Sequence, residues 1–198
     1  MTTEPSLPPT SLTVPNAITL IRILLTPLFV ILLIQGRHGP ALAVFLAASL
    51  SDFIDGLIAR HWQQRSPLGT VLDPLADKLL LMSSFILLSL YRFIPPWLAV
   101  VVISRDFILV AGILILKLFD YPVAVRPTLA GKFTAAAQMI TVFVVLLSRQ
   151  VPLPGTFLKV WFLLTGALSA YSGIQYLARG LELGEQGKET SSDEGRHG

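Results

Sequence analysis

Residues 51–78 read SDFIDGLIARHWQQRSPLGTVLDPLADK, and they set four aspartates, Asp52, Asp55, Asp73 and Asp77, between two long apolar runs. Asp52, Asp55 and Ala59 fall at i, i+3 and i+7, one face of a helix; Gly69, Asp73 and Asp77 fall at i, i+4 and i+8, again one face. The link His61–Leu68 is short and polar and holds Ser66-Pro67, so the two helices are expected to be antiparallel neighbours. Asp52 and Asp55 then approach the link on one helix, and Asp73 and Asp77 leave it on the other. The spacing predicts one interior cluster of four carboxylates near the link.

Working outward, the rest of the chain explains what surrounds that cluster. Of 198 residues 53% are hydrophobic and only 14% charged, and the mean hydropathy is +0.70. A water-soluble domain averages about 25% charged residues, so the bilayer is the expected solvent. A span needs about 20 mostly apolar residues. Six are read: Ala17–Gln35, Ala41–Arg60, Thr70–Tyr91, Trp97–Phe119, Leu129–Ser148 and Phe157–Ala178. Pro, Gly and Arg punctuate the links between them. The expected fold is therefore an all-α integral membrane bundle of six transmembrane helices over residues 16–179. It is flanked by a proline-rich N-terminal tail, 1–15, and a polar C-terminal tail, 180–198. The first span is not read as a cleavable signal peptide, since no basic segment precedes it and Arg22 lies inside it.

Cysteine is absent, which excludes disulfides and thiolate chemistry. The net charge of +3 is spread too thinly for a nucleic-acid surface. With six spans both termini share a side. That side carries eight Lys and Arg (Arg60, Arg65, Lys117, Arg126, Lys132, Arg179, Lys188, Arg196) against four on the other (Arg37, Arg92, Arg149, Lys159). The positive-inside rule places both termini, and the aspartate end of the bundle, in the cytoplasm.

Eight charged residues lie within spans: Asp52, Asp55, Asp73, Asp77, Asp106, Arg22, Lys78 and Arg105. Facing lipid at mid-bilayer they would cost on the order of 20 kcal/mol together. An isolated pair such as Lys78 with one aspartate reads as a structural salt bridge. Four aspartates around one link do not. Unneutralised they would repel one another and take up protons. A hard divalent cation, Mg²⁺ or Mn²⁺, takes oxygen ligands and removes that repulsion. The three histidines, His38, His61 and His197, lie outside the cluster, which argues against zinc. Gly56, Ala59 and Gly69 among the acids suit close helix packing, and equally leave room for a ligand beside a metal. Arg60, at the water end of its span, is a snorkelling residue by default but also stands where a phosphate would dock.

The pattern Asp52-x2-Asp55-Gly56-x2-Ala59-Arg60-x8-Gly69-x3-Asp73-x3-Asp77 resembles, without departure, the signature of the CDP-alcohol phosphatidyltransferase family. The resemblance extends over roughly Val14–Ala178. It implies transfer of a phosphatidyl or similar group from a CDP-linked donor to an alcohol, with release of CMP. It implies that Asp52, Asp55, Asp73 and Asp77 hold Mg²⁺ or Mn²⁺, as two ions, and that Asp77 is the general base. It further implies that Asp52, Gly56, Ala59, Arg60 and Gly69 shape the cytidine diphosphate pocket, joined by Asn16 and Thr19. Finally it implies a homodimer in a bacterial inner membrane.

The acceptor is read from shorter strings. Asn16-x2-Thr19-x2-Arg22 and Gly131-Lys132-x2-Thr134 with Gln138-Met139 are similar to bacterial phosphatidylglycerophosphate synthases. Leu72-Asp73-Pro74-Leu75-Ala76-Asp77-Lys78 is shared by those enzymes and CDP-diacylglycerol-dependent cardiolipin synthases. Ser104-Arg105-Asp106 looks like the cardiolipin synthases. The glycerophosphate enzymes tend to carry Arg-Glu there and a Leu-Arg-Glu further on, where this chain reads Gly112-Ile113-Leu114-Ile115. Glycerol 3-phosphate is the expected acceptor, with phosphatidylglycerol the alternative. Its dianionic phosphate needs two or three cations, and Arg105, Lys132 and Arg126 are the candidates. Lys132 also reads as an interfacial lysine and Arg126 as a solvated loop residue. The alternative for Arg105 is neutralisation by its neighbour Asp106, although adjacent residues on a helix do not face each other.

A cation transporter would also bury acids in the membrane. It would usually set them at the midplane on broken helices, whereas these gather round one link among small and basic residues. A structural scaffold accounts for none of them.

Overall fold

The computed structural model describes the backbone of residues 14–62, 67–118 and 129–194, and side chains over 21–51, 78–112 and 129–178. Six helices follow in order: α1 (Val14–Ile34), α2 (His38–Trp62), α3 (Pro67–Leu90), α4 (Pro96–Leu118), α5 (Leu129–Ser148) and α6 (Gly155–Glu194). No strand occurs among the described residues. α5 and the Gly155–Ala178 part of α6 are long and apolar enough to cross a membrane, and shorter apolar helices cover Ile21–Ile34, His38–Ser51 and Lys78–Leu90.

The helix ends follow from local chemistry. α1 stops at Gly36, whose φ of 70° only glycine adopts cheaply. There the Arg37 N–H donates to Leu32 O at 2.9 Å and the Gly36 N–H to Leu33 O at 3.0 Å, closing a Schellman cap. α3 ends the same way on a less comfortable residue. Arg92 takes the left-handed position with φ 58°, while Phe93 N–H reaches back to Leu88 O at 2.8 Å. Pro96 then opens α4, where a missing N–H costs nothing. In α1, Pro27 interrupts the backbone ladder; beside it the Thr26 hydroxyl donates to Arg22 O at 3.0 Å.

The chain divides into two compact units, and the divisions fall inside α3 and α5. The first holds α1, α2, α3 as far as Leu87, and Val142–Pro152. Here α1 packs along α2, with the Phe29 and Phe45 rings 5.9 Å apart and Leu33, Ala41 and Ala48 buried. The second holds α4, α5 as far as Thr141, and α6. In it α4 packs along α6.

That contact rests on a glycine. A Cβ built on Gly166 of α6 would stand 2.5 Å from the Trp97 ring of α4. Gly166→Ile is therefore expected to lower the Tm of the purified protein by about 3–8 °C, the scale of an overpacked contact in a chain of this size. Gly112, with nothing within 4 Å of the same built atom, is the control: Gly112→Ala leaves the Tm unchanged or raises it. Equal losses in the two variants would remove the packing argument.

Large apolar side chains stand outside as well as inside, and polar ones are buried among apolar neighbours. Leu24, Leu90, Phe107, Leu129, Phe133 and Ile174 stand exposed, while Arg22, Arg105, Asp106, Thr134, Gln138, Thr141, Thr165, Ser169 and Ser172 are buried. Exposed apolar side chains, with the charged and polar ones turned away from them, are what a hydrocarbon solvent selects.

The stretch read as a polar tail from residue 180 continues α6 in helical conformation to Glu194. Its Leu, Glu, Gln and Lys residues are good helix formers, and a helix already nucleated upstream propagates into them without a new nucleus. Polarity there marks the end of the apolar segment, not the end of the helix.

Candidate active site

Two sets of residues bear on chemistry, and they lie on different helices. α2 carries Asp52, Asp55, Gly56, Ala59 and Arg60, and α3 carries Gly69, Asp73 and Asp77. The helical backbone makes the sequence spacing real: Asp52, Asp55 and Ala59 share a face of α2, and Gly69, Asp73 and Asp77 share a face of α3. Asn16 and Thr19 sit on the first turns of α1. The side chains of all these positions lie outside the described residues, as does Arg126. Among the described residues no three acidic or histidine side chains gather as a metal site.

The donor set can still be tested for fit. Asp52, Asp55, Asp73 and Asp77 supply oxygen alone, at i, i+3 on α2 and i, i+4 on α3. Carboxylates at those spacings suit a hard divalent cation and would satisfy neither copper nor a tetrahedral zinc site. The residues present therefore fit Mg²⁺ or Mn²⁺.

The second set is described in full and lies within one unit. Arg105 on α4 is only 5% exposed. Its Nη1 donates to Asp106 Oδ1 at 2.7 Å. Its Nε and Nη2 both donate to Ser172 Oγ on α6, at 3.3 and 3.0 Å. The guanidinium carbon lies 5.9 Å from the centre of the Tyr176 ring, within cation–π range. Of the readings open for Arg105, the structure shows the pairing with Asp106, although the two are adjacent on α4. Both side chains are long enough to curl to one side of α4, and inside an apolar interior an unpaired charge costs more than the off-axis geometry.

Beyond the arginine a column of polar contacts ties α5 to α6. The Thr134 hydroxyl lies 3.1 Å from Leu168 O and 2.8 Å from Ala130 O. Gln138 Nε2 donates to Ser169 Oγ at 3.4 Å, and Thr141 and Thr165 hydroxyls meet at 2.9 Å. Trp161 Nε1 donates to Thr141 Oγ1 at 3.0 Å. Lys132, the remaining cation expected at the acceptor, is exposed at the start of α5. Ser172 and Tyr176 escaped the motif reading. A signal was available: Thr165, Ser169, Ser172 and Tyr176 recur at i, i+4, i+7 and i+11 in an apolar segment, one polar stripe on a membrane-length helix.

The family model described as CDP-alcohol phosphatidyltransferase matches residues 12–171. Among curated relatives, a human (Homo sapiens) protein named cardiolipin synthase (CMP-forming) is 36% identical over 154 residues, covering 70% of this chain and 51% of the relative. A protein of the same name from Streptomyces coelicolor is 36% identical over 117 residues, 56% of this chain and 54% of the relative. A Bacillus subtilis protein named CDP-diacylglycerol–glycerol-3-phosphate 3-phosphatidyltransferase is 33% identical over 187 residues, 85% of this chain and 95% of the relative. The chain spans about half the length of the cardiolipin synthases from human, rat and Streptomyces coelicolor that it matches.

Proposed function

The chain belongs to the CDP-alcohol phosphatidyltransferase family, and from that premise we propose that it is a membrane-spanning enzyme of phospholipid synthesis. It transfers a phosphatidyl group from CDP-diacylglycerol to a glycerol hydroxyl and releases CMP. The observation that carries the reading is the full signature, from Asp52 to Asp77, set on two successive helices. All six helices cross the bilayer, both termini are cytoplasmic, and the aspartate end opens to the cytoplasm.

In this reaction the acceptor oxygen forms a bond to the phosphorus that bears diacylglycerol, and the bond from that phosphorus to the CMP oxygen breaks. Asp77 takes the proton of the acceptor hydroxyl. Gly56, Ala59 and Gly69 leave space for the cytidine diphosphate, and Arg60, Asn16 and Thr19 hold it. Asp52, Asp55 and Asp73, with Asp77, would hold Mg²⁺ or Mn²⁺. When bound, the metal neutralises charge on the pyrophosphate and the departing CMP.

The acceptor reading follows from charge. The phosphate of glycerol 3-phosphate is a dianion, whereas the phosphodiester of phosphatidylglycerol carries a single charge. Arg105 already has Asp106 against it, and Gly112-Ile113-Leu114 stands where the glycerophosphate enzymes place a further arginine. That balance suits phosphatidylglycerol as acceptor and cardiolipin as product, with Arg105 as the phosphate contact. A second reading, glycerol 3-phosphate held by Arg105, Lys132 and Arg126, is favoured by the alignment that covers 95% of the Bacillus subtilis relative.

An acceptor panel decides. Enzyme in detergent with Mn²⁺ and radiolabelled CDP-diacylglycerol is offered phosphatidylglycerol, glycerol 3-phosphate or inositol phosphate. Labelled cardiolipin and CMP with the first alone is the expected result. Labelled phosphatidylglycerophosphate with the second would reassign the acceptor. Absence of CMP release with every acceptor would sink the transferase reading and return the aspartates to ion transport.

A further inference from the structure

Hydroxyls in apolar helices usually bond their own backbone. Ser51, Ser83 and Ser84 do so here, donating to the carbonyl four residues back at 2.6–2.7 Å. Ser172 does something else. It is fully buried, and its oxygen accepts both Nε–H and Nη2–H of Arg105, the fork edge of the guanidinium, at 3.3 and 3.0 Å. One turn further along α6, Tyr176 sets its ring 5.9 Å from the same guanidinium carbon. Asp106 holds the opposite end through Nη1 at 2.7 Å. Asp106 neighbours Arg105 on α4, so the bond between them links the arginine to a residue of its own helix. The two contacts from α6 fix the guanidinium plane in space. The Arg105 stem also passes close to Gly173: a Cβ there would lie 3.5 Å from Arg105 Cγ.

We propose that Ser172 and Tyr176 are positioning residues for acceptor recognition, orienting the Arg105 guanidinium before the acceptor's phosphate arrives. The inference rests on Arg105 being the acceptor-phosphate contact in the reading above. An arginine with four rotatable stem bonds loses side-chain entropy each time it is fixed on a ligand. Holding it beforehand moves that loss into folding and lowers the acceptor concentration needed for half-saturation. The donor, bound by the aspartate signature, gains nothing from it.

The test is CMP-release kinetics in mixed micelles, with phosphatidylglycerol and CDP-diacylglycerol varied in turn. Ser172→Ala is expected to raise the acceptor KM roughly tenfold, the scale of one lost hydrogen bond to a charged group. The donor KM stays unchanged and kcat moves by less than about twofold. Ser169→Ala is the control. It removes an equally buried hydroxyl from the preceding turn of the same helix, one that receives Gln138 rather than the arginine, and it leaves the acceptor KM at the wild-type value. Tyr176→Leu raises the acceptor KM a few-fold and decides alone if Ser172→Ala does not fold. The proposal is overturned if Ser172→Ala and Ser169→Ala shift the acceptor KM equally. It is also overturned if neither Ser172→Ala nor Tyr176→Leu shifts that KM, or if donor and acceptor KM rise together. A wild-type enzyme that releases no CMP with phosphatidylglycerol would defeat the acceptor reading on which the inference rests, and one that releases none with any acceptor would defeat the transferase reading itself.

Discussion

Asp77→Asn is expected to lower the rate of CMP release by about a thousandfold, within the range by which removal of a general base slows a reaction, while CDP-diacylglycerol still binds. Asp77 closes the signature on α3, one turn beyond Asp73 and two beyond Gly69. A hydroxyl of ordinary acidity is a poor nucleophile at neutral pH, so the proton must go to a group at hand as the new bond to phosphorus forms. A carboxylate that closes the signature fits that role. Asparagine keeps the size of the side chain and one oxygen for a cation, but it has no basic site. The variant therefore separates two roles that the aspartate could combine. If Asp77 is the base, kcat collapses and the Mn²⁺ concentration for half-activation hardly moves. If it is only a ligand, excess Mn²⁺ restores much of the rate. Single-turnover CMP release, paired with donor binding followed by thermal shift, reads both. A rate within about tenfold of wild type at saturating Mn²⁺ would remove Asp77 as base, since even a weak general base contributes about a hundredfold.

The parts of the fold legible in the sequence were those written as local chemistry. Gly36 and the Pro95-Pro96 pair mark helix boundaries that the structure places within a few residues of expectation, because a left-handed φ and a missing N–H act within one turn. The six apolar runs correspond to the six helices for the same reason. What escaped was written across helices. Ser172 carries no motif, and its partner Arg105 lies 67 positions away; only the packing of α4 on α6 joins them. The Arg105–Asp106 pair is legible as an alternative, against a helix rule for neighbours that describes solvated surfaces where water competes for each charge. In an apolar interior no such competitor exists, and the two side chains take the geometry that joins them. The helical continuation of α6 to Glu194 is not written in polarity, which marks only where the apolar segment ends. The aspartate cluster was legible in type and spacing alone, and its reading stands on helical register together with the family match.

Removal of divalent metal is expected to abolish activity, with CMP release in excess EDTA falling by at least about a hundredfold, since metal stabilisation of a phosphoryl transition state is worth several kcal/mol and each 1.4 kcal/mol is a factor of ten. In the proposed site, four carboxylates brought together from α2 and α3 cannot all stay ionised without a counter-charge. A protonated set could not bind a pyrophosphate by charge, and an ionised set would repel it. Bound Mg²⁺ or Mn²⁺ resolves both difficulties, because carboxylate and phosphate oxygens share the same hard cation. Chelated enzyme should therefore lose the donor as well as the rate, and titration with Mg²⁺ or Mn²⁺ should restore both together. Asp73→Asn should shift that titration to higher metal concentration, by about tenfold or more for the loss of one charged ligand. Asp106→Asn, whose carboxylate is engaged by Arg105, should not shift it. Recovery of donor binding without metal would show that arginines alone hold the pyrophosphate. Activity that survives chelation would leave the four aspartates without the role that their placement on α2 and α3 was taken to serve.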